Sequence, residues 1–441
     1  MFETLSRALR LPDLRRKILF TLWIITIYRL AAHVPVPGVD RATMQQIFTS
    51  SGAVGQLTRF LNLVSGGALE NFSVMAMGVY PYITASIILQ LMTPLIPALE
   101  ELSKEGESGR NRITQYTFWL TIPLAIVQAI AQVTLLNSNA ITGVGQVVEF
   151  GASAPLNTIA VLASLAAGTM FALWLGERIT EGGLGNGVSI IIFAGIVAGI
   201  PRNVVTLATV NVLALIPMVL ITALAAWLIV WVQEAHRRIP VQYGRRVRGT
   251  RTYGGQSTYI PLRINSAGMI PLIFASALMI FPGVIGSLLL TIQGNFAVRD
   301  VGLWLQNEFA SGNGGTVYYS IYFVLVVAFT FFYTDTVFRQ QALHESLQRN
   351  GGFVPGIRPG KRTEDYLTFV MHRITVAGAL FLGAVAILPF FAQYLVPGSQ
   401  GPSGSLLVDA TGLLIVVGVV LDTIKQLEAQ LLMRNYEGFI R

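Results

Sequence analysis

The chain has 441 residues, of which 53% are apolar and only 12% are charged, a balance that excludes a set of soluble globular domains. It has no cysteine, so disulfides, thiolate catalysis and cysteine metal sites are excluded. Its net charge of +8 is consistent with attraction to anionic lipid.

The apolar residues are concentrated in long runs. A hydrocarbon core about 30 Å thick needs roughly 20 helical residues, and most of these runs reach that length. The sequence therefore predicts an all-α polytopic membrane protein with ten transmembrane helices. The predicted runs cover residues 18–36, 72–97, 113–136, 154–176, 186–201, 211–233, 264–290, 316–338, 373–395 and 404–424.

The cations alternate between the segments that connect these runs. Because cations near the ends of a span resist translocation, the basic segments are expected on the cytoplasmic side, with both termini there. No cleaved signal peptide is expected. The basic segments are the N-terminus, the 98–112 loop, the connection at Arg178, the 234–263 and 339–373 loops and the C-terminal tail. The other connections carry only Arg41, Arg59, Arg202 and Arg299.

The runs divide five and five near Pro201. Because five is odd, the second half enters the membrane from the opposite side, which is the condition for two halves related by an inverted pseudo-twofold axis. The predicted halves are residues 1–200 and 201–441, and the prediction rests on the count of runs alone.

One external connection contains a short apolar stretch, residues 57–69, that is interrupted by Arg59 and Asn62. It is too short to span the membrane. It is either a re-entrant element buried in the protein or an amphipathic helix on the outer surface. The residues alone favour the surface helix.

Two cytoplasmic loops are longer than a connection requires. The 237–263 segment carries seven Arg and no acid, and its alternating pattern around glycines predicts a β-hairpin standing off the membrane. The 339–373 loop contains two Pro-Gly steps that flank Arg358 in a turn. Both loops are interpreted as docking surfaces, the alternative being a solvated connector that contacts lipid.

Catalysis finds little support in the sequence. The four histidines form no HExxH pair, and no GxxxxGK[ST] loop is present, so we predict no enzyme, no metal and no cofactor. An ion-coupled solute carrier is the alternative, because inverted repeats are common among carriers. Its candidate ionisable residues all lie near the ends of spans: Arg29, Glu177, Asp335 and Asp422.

The runs do offer aliphatic pairs at helical spacing. Ile83 and Ile87 share one helix face, as do Val188 and Ile192. Such pairs usually face lipid or a neighbouring helix. The alternative is a hydrophobic constriction, which blocks water and ions without a charge.

Several stretches resemble the SecY family, the channel-forming subunits of bacterial protein translocases. They are VMAMGVYPYITASIILQLMTPLIP (74–97), KEGESGRNRITQYT (104–117), LWLGERITEGGLGNGVSIIIFAGI (173–196), INSAGMIPLIFASA (264–277), NGGFVPGIRPG (350–360) and MRNYEGFIR (433–441). The resemblance implies a channel that moves unfolded secretory polypeptides across the cytoplasmic membrane of a bacterium and releases membrane-protein helices sideways into lipid.

The resemblance also implies partners and functional residues. The partners are SecE, SecG, the SecA ATPase, the ribosome with its RNA, signal peptides with nascent chains, and membrane lipids.

A lateral gate is implied between runs two and three on one side and runs seven and eight on the other. The implied pore ring is Ile83, Ile87, Val188, Ile192, Ile273 and Ile415. The implied plug, about 57–70, includes Phe60, Leu61, Leu63, Val64 and Leu69, which reverses the preference for a surface helix. The implied SecA and ribosome docking residues are Arg245, Arg246, Arg251 and Arg358.

Val188 and Thr250 depart from the family pattern. Val188 stands where isoleucine is frequent, which is expected to widen the ring slightly. Thr250 stands at the hairpin tip where an arginine is frequent, which weakens the expected contact with ribosomal RNA phosphates. Besides the solute carrier, an insertase or scaffold without a pore is the other alternative function.

Overall fold

The fold was analysed in a computed structural model. It describes residues 11–40, 44, 65, 67–69, 72–93, 95–137, 147–150, 154–210, 212–243, 246–248, 251–253, 257–289, 296–309, 316–341, 347–349, 351–395 and 410–437. The helices of eight or more residues are α1 (Pro12–Ala31), α2 (Tyr80–Met92), α3 (Pro97–Lys104), α4 (Glu107–Asn137), α5 (Pro155–Gly182), α6 (Gly187–Val210), α7 (Val212–Glu234), α8 (Ile270–Leu289), α9 (Phe296–Phe309), α10 (Thr316–Gln341), α11 (Lys361–Leu395) and α12 (Ala410–Glu437). Each of the ten predicted runs overlaps one of these helices, and α3 and α9 are additional.

Within the described part of the chain, five helices are each long and apolar enough to cross a membrane: α4, α5, α7, α10 and α11. Helices α2 and α3 meet at a bend of 103° and together would make a sixth span. Helix α6 contributes a shorter apolar segment, Gly187–Pro201. Helix α1 is less apolar because four cations lie along it. The helices are consistent with ten spans, although not every helix meets the length and composition criteria by itself.

The chain packs as two compact units. Unit 1 comprises Met1–Thr222, Met279–Tyr318 and Pro389–Arg441, and unit 2 comprises Ala223–Leu278 and Tyr319–Leu388. This grouping follows packing and not symmetry, so the predicted division at residue 200 into inverted halves stays a prediction.

In unit 1, α5 and α6 approach each other closely at two glycines. A Cβ at Gly187 would lie 1.7 Å from the backbone oxygen of Gly176. A Cβ at Gly176 would lie 3.3 Å from the backbone nitrogen of Val188. Small residues allow such backbone contact between membrane helices, so these glycines fix the start of α6, from which Val188 and Ile192 project.

The connections of unit 1 that are predicted to be external are joined by backbone hydrogen bonds. The Val36 N–H donates to Phe72 O at 3.0 Å, and the Asp40 N–H donates to Val147 O at 2.9 Å. The side chain of Asn137, at the end of α4, bonds both the N–H and the C=O of Val148. These segments cover a buried apolar cluster that includes Leu69, Phe72, Val133 and Leu165.

Unit 2 contains the hairpin predicted over residues 237–263. Strands β1 (His236–Tyr243) and β4 (Ser257–Arg263) are antiparallel, and β2 (Arg246–Arg248) pairs with β3 (Arg251–Tyr253). The second large loop adds β5 (Gly352–Phe353) to β1, which gives a sheet of order β4-β1-β5. The sheet packs through Ile239, Val241 and Leu262 on residues of α10 and α11.

Replacement of Gly187 by alanine tests the helix crossing. The added methyl group would meet the backbone of α5, so we expect Gly187→Ala to lower the free energy of unfolding by about 1–3 kcal/mol. Thermal unfolding in detergent measures the change. Gly199→Ala in the same helix is the matched control, because a Cβ there meets no atom within 4 Å. Equal effects of the two variants would contradict the close approach.

Candidate channel constriction and docking surfaces

The aliphatic residues implied for the pore lie on four helices. Ile83 and Ile87 lie on α2 and are partly buried, as is Val188 at the start of α6. Ile192 on α6 is 3% exposed and Ile415 on α12 is 1% exposed. These five belong to unit 1, whereas Ile273 on α8 is buried in unit 2. That all six line one axis stays a prediction.

Helices α6 and α12 pack against each other in unit 1. The turn before α6 is tied to α12, because the Gly185 N–H donates to Gln426 Oε1 at 2.9 Å. The same turn is tied to α1, because the Leu184 N–H donates to Thr21 Oγ1 at 3.3 Å. The helices that carry Ile192 and Ile415 are therefore held in a fixed register at this turn.

The base of the predicted plug is buried in unit 1. The Tyr28 hydroxyl donates to Ser65 O at 2.6 Å, and the Leu69 N–H donates to Ser65 Oγ at 3.3 Å. Gly78 adopts φ +52°, and a Cβ there would lie 2.6 Å from Ser65 Cα. Leu69 is fully buried in the apolar cluster under the external connections. The other predicted plug residues lie outside the described residues: Phe60, Leu61, Leu63 and Val64.

Arg29 is bound to backbone carbonyls of a neighbouring helix. Its Nη2 lies 3.1 Å from the carbonyl oxygens of both Ala194 and Gly195 on α6. In the sequence Arg29 was a candidate ionisable group for a carrier. In the structure its hydrogen bonds join α1 to α6. Nothing in the local sequence pattern points to this pair of acceptors.

The acidic carrier candidates belong to different units, with Glu177 and Asp422 in unit 1 and Asp335 in unit 2. Glu177 and Asp422 are exposed. Asp335 Oδ1 lies 3.6 Å from His372 Nε2, and both side chains are partly exposed. Among the described residues no group of three or more His, Asp or Glu is placed to hold a metal ion.

Helices α2 and α4 pack together within unit 1. Gln128 Nε2 donates to Thr84 Oγ1 at 3.2 Å, and the ring centroids of Tyr82 and Phe118 are 5.5 Å apart. Helices α8 and α10 are joined within unit 2 by the stacked rings of Phe274 and Phe329, also 5.5 Å apart. Each side of the predicted lateral gate is thus a packed helix pair.

The predicted docking arginines lie on the two loops that the sheet joins. Arg246 and Arg251 are on β2 and β3, where Arg251 is the Cα partner of Arg248. Arg245 lies outside the described residues. Arg358 is exposed in the turn after β5, and its carbonyl accepts a bond of 2.9 Å from Thr363 Oγ1 at the start of α11. Through the β1–β5 pairing both loops become parts of one sheet, which the sequence did not reveal.

The chain is similar to known proteins over its whole length. The SecY family model matches residues 73–424. The protein translocase subunits SecY of Streptomyces griseus and Mycobacterium tuberculosis are each 43% identical to this chain, over the whole length of both proteins.

Solved structures share the fold. A protein-conducting channel superposes with a TM-score of 0.62 at 18% identity, covering 94% of this chain and 92% of that chain. Sec61 in a canine ribosome–channel complex superposes with a TM-score of 0.59 at 17% identity, with the same coverage. On the family match and the full-length relatives, this chain belongs to the SecY family.

Proposed function

We propose that this chain forms the protein-conducting channel of a Sec translocase. The observation that carries the proposal is its similarity to SecY translocase subunits from end to end, at 43% identity. The channel moves unfolded secretory polypeptides across the bacterial cytoplasmic membrane and releases membrane-protein helices sideways into lipid. Both termini lie in the cytoplasm.

The constriction consists of Ile83, Ile87, Val188, Ile192, Ile273 and Ile415. Aliphatic side chains suit this position because they exclude a continuous column of water and ions when they meet. They also offer no hydrogen bond or charge that would retain a passing peptide. The burial of Ile192, Ile273 and Ile415 supports the assignment.

The plug closes the external side of the constriction at rest. Its base is held at Ser65 by the buried hydroxyl of Tyr28. Leaving a buried carbonyl without its donor costs about 1–3 kcal/mol, so this bond stabilises the closed channel.

The lateral gate is formed by α2 and α4 on one side and α8 and α10 on the other. A signal segment opens it because transfer into lipid stabilises each central Leu, Ile, Phe or Val by about 0.3–0.6 kcal/mol. Since each side is a packed helix pair, the sides separate as pairs.

Partners supply the energy and the clamp. SecE surrounds the two halves and SecG associates with them. SecA or a translating ribosome docks on the joined cytoplasmic loops, and the ribosomal RNA contacts the arginines of the hairpin.

Reconstitution into liposomes with SecE, SecA, ATP and a labelled precursor tests the function. We expect precursor that is protected from added protease inside the liposomes. Saturable uptake of a small solute in its place would overturn the proposal.

Replacement of Ile83 and Ile273 by asparagine tests the constriction. The amides should hydrate the closed pore, so resting ion conductance in planar bilayers should rise at least severalfold and precursors with defective signal sequences should pass. Ile88→Asn, at a more exposed position of α2, is the matched control. Conductance at the unmodified level in the double variant would show that the ring is assigned wrongly.

Replacement of Tyr28 by phenylalanine tests the plug base. The variant keeps the ring and removes the hydroxyl, so we expect a loss of about 1–3 kcal/mol in the free energy of unfolding, together with a raised resting conductance. Thr26→Val is the control, because that hydroxyl bonds within α1 and is exposed. If destabilisation comes without added conductance, the bond serves folding alone.

Replacement of Arg358 by glutamate tests the docking turn. Charge reversal on an exposed side chain should slow SecA-driven translocation about tenfold or more, while the amount of membrane-inserted protein stays the same. Arg362→Glu, an equally exposed reversal four residues away, is the control. A parallel fall of inserted protein and of translocation would assign a structural role to Arg358.

A further inference from the structure

The outer face of the sheet carries an ordered arginine. Along β1 the side chains alternate, so that Ile239 and Val241 enter the buried cluster while Arg238 and Pro240 face outward. On β4 the Cα partners of these outward residues are Pro261 and Tyr259. The outer face at this end of the sheet is therefore built from an arginine, a tyrosine and two prolines.

Two contacts hold the guanidinium of Arg238. Its Cζ lies 4.9 Å from the ring centroid of Tyr259, a cation–π contact, and its Nε donates to His236 Nε2 at 3.3 Å. Because an arginine nitrogen only donates, Nε2 of His236 is the acceptor. His236 Nδ1 then carries the proton and donates to Glu234 O, 3.0 Å away at the end of α7.

This arrangement leaves the two Nη groups of Arg238 facing outward. Neither makes a hydrogen bond to a residue that the structure describes. A planar guanidinium with a fixed Nε presents two parallel N–H donors, the geometry that matches an oxyanion with two acceptor oxygens. Since the side chain is already ordered, binding loses little rotamer entropy.

The site lies beside the end of a membrane helix. Helix α7 ends at Glu234, four residues before Arg238, and Trp227 and Trp231 are 61% and 67% exposed on one face of its last turns. Exposed tryptophans at the end of a span mark the level of the lipid headgroups. The segment 237–263 carries seven arginines and no acidic residue, so its charge favours contact with anions.

We propose that Arg238 is the phosphate ligand of a binding site for one anionic phospholipid of the cytoplasmic leaflet. The phosphate accepts from the outward Nη groups, and the acyl chains run along the exposed tryptophans of α7. The inference requires that α7 spans the membrane with its Glu234 end on the cytoplasmic side. It does not depend on the channel function, and either can fail alone.

Titration with phosphatidylglycerol and phosphatidylcholine tests the site, using the full chain with SecE in neutral detergent and native mass spectrometry. In detergent no charged bilayer surface contributes to binding. Arg238→Gln should weaken the tightest phosphatidylglycerol association about tenfold. Tyr259→Leu should weaken it less, and Tyr259→Phe, which keeps the ring, should leave it unchanged.

Arg237→Gln is the matched control, because it removes the same charge from the next residue, which belongs to the other face of β1. A change of less than twofold is expected for it. Equal losses in the two arginine variants would mean diffuse attraction and would overturn the site. Equal binding of phosphatidylglycerol and phosphatidylcholine would also overturn the site. An Arg238→Gln variant that binds ribosomal RNA more weakly, with unchanged lipid binding, would overturn it as well.

Discussion

A chain in hydrocarbon has to satisfy its backbone hydrogen bonds within the protein, and this constraint governs the architecture of unit 1. Each of the ten predicted runs satisfies it over the helix that it overlaps. The described residues between Ser65 and Val79 are not helical, and there buried hydroxyl groups provide hydrogen-bond partners for the backbone. Ser73 Oγ donates to Ala68 O and accepts from the Met75 N–H, while Tyr28 donates to Ser65 O. Because these hydroxyl groups satisfy its backbone, the chain between the proposed plug and α2 can be buried without helical structure and with little loss of hydrogen-bond free energy.

The two units differ in the elements that they contain. Unit 1 places aliphatic residues on helices whose register is fixed by glycine contact and by side-chain bonds to the α5–α6 turn. Unit 2 extends α10 and α11 into an apolar cluster with a sheet that joins both basic loops. A force on Arg358 reaches α11 through Thr363 and reaches the hairpin through β5. The turn at Arg358, the start of α11 and the hairpin are thus joined by direct contacts within unit 2.

Local patterns in the sequence predicted the helices and the hairpin, because an apolar run or a strand alternation can be recognised within a short stretch of neighbouring residues. The helix boundaries differ from the ends of the predicted runs. Helix α11 begins at Lys361, twelve residues before its apolar run, because a charged segment extends the helix beyond that run. The β1–β5 pairing, the Tyr28–Ser65 bond and the Arg29 contacts join residues far apart in the chain. No local periodicity encodes them. The pore, plug and docking assignments came from family resemblance, and residue spacing alone favoured ordinary helix packing.

We propose above that six aliphatic side chains on four helices surround the translocating polypeptide. The chain has no cysteine, so single Ile83→Cys, Ile192→Cys, Ile273→Cys and Ile415→Cys variants can be oxidised against a stalled precursor that carries one cysteine. We expect a disulfide to the precursor from all four positions and none from Val127→Cys, an exposed position of α4. Cross-links that fail at the four positions, or that form equally well at Val127, would contradict it.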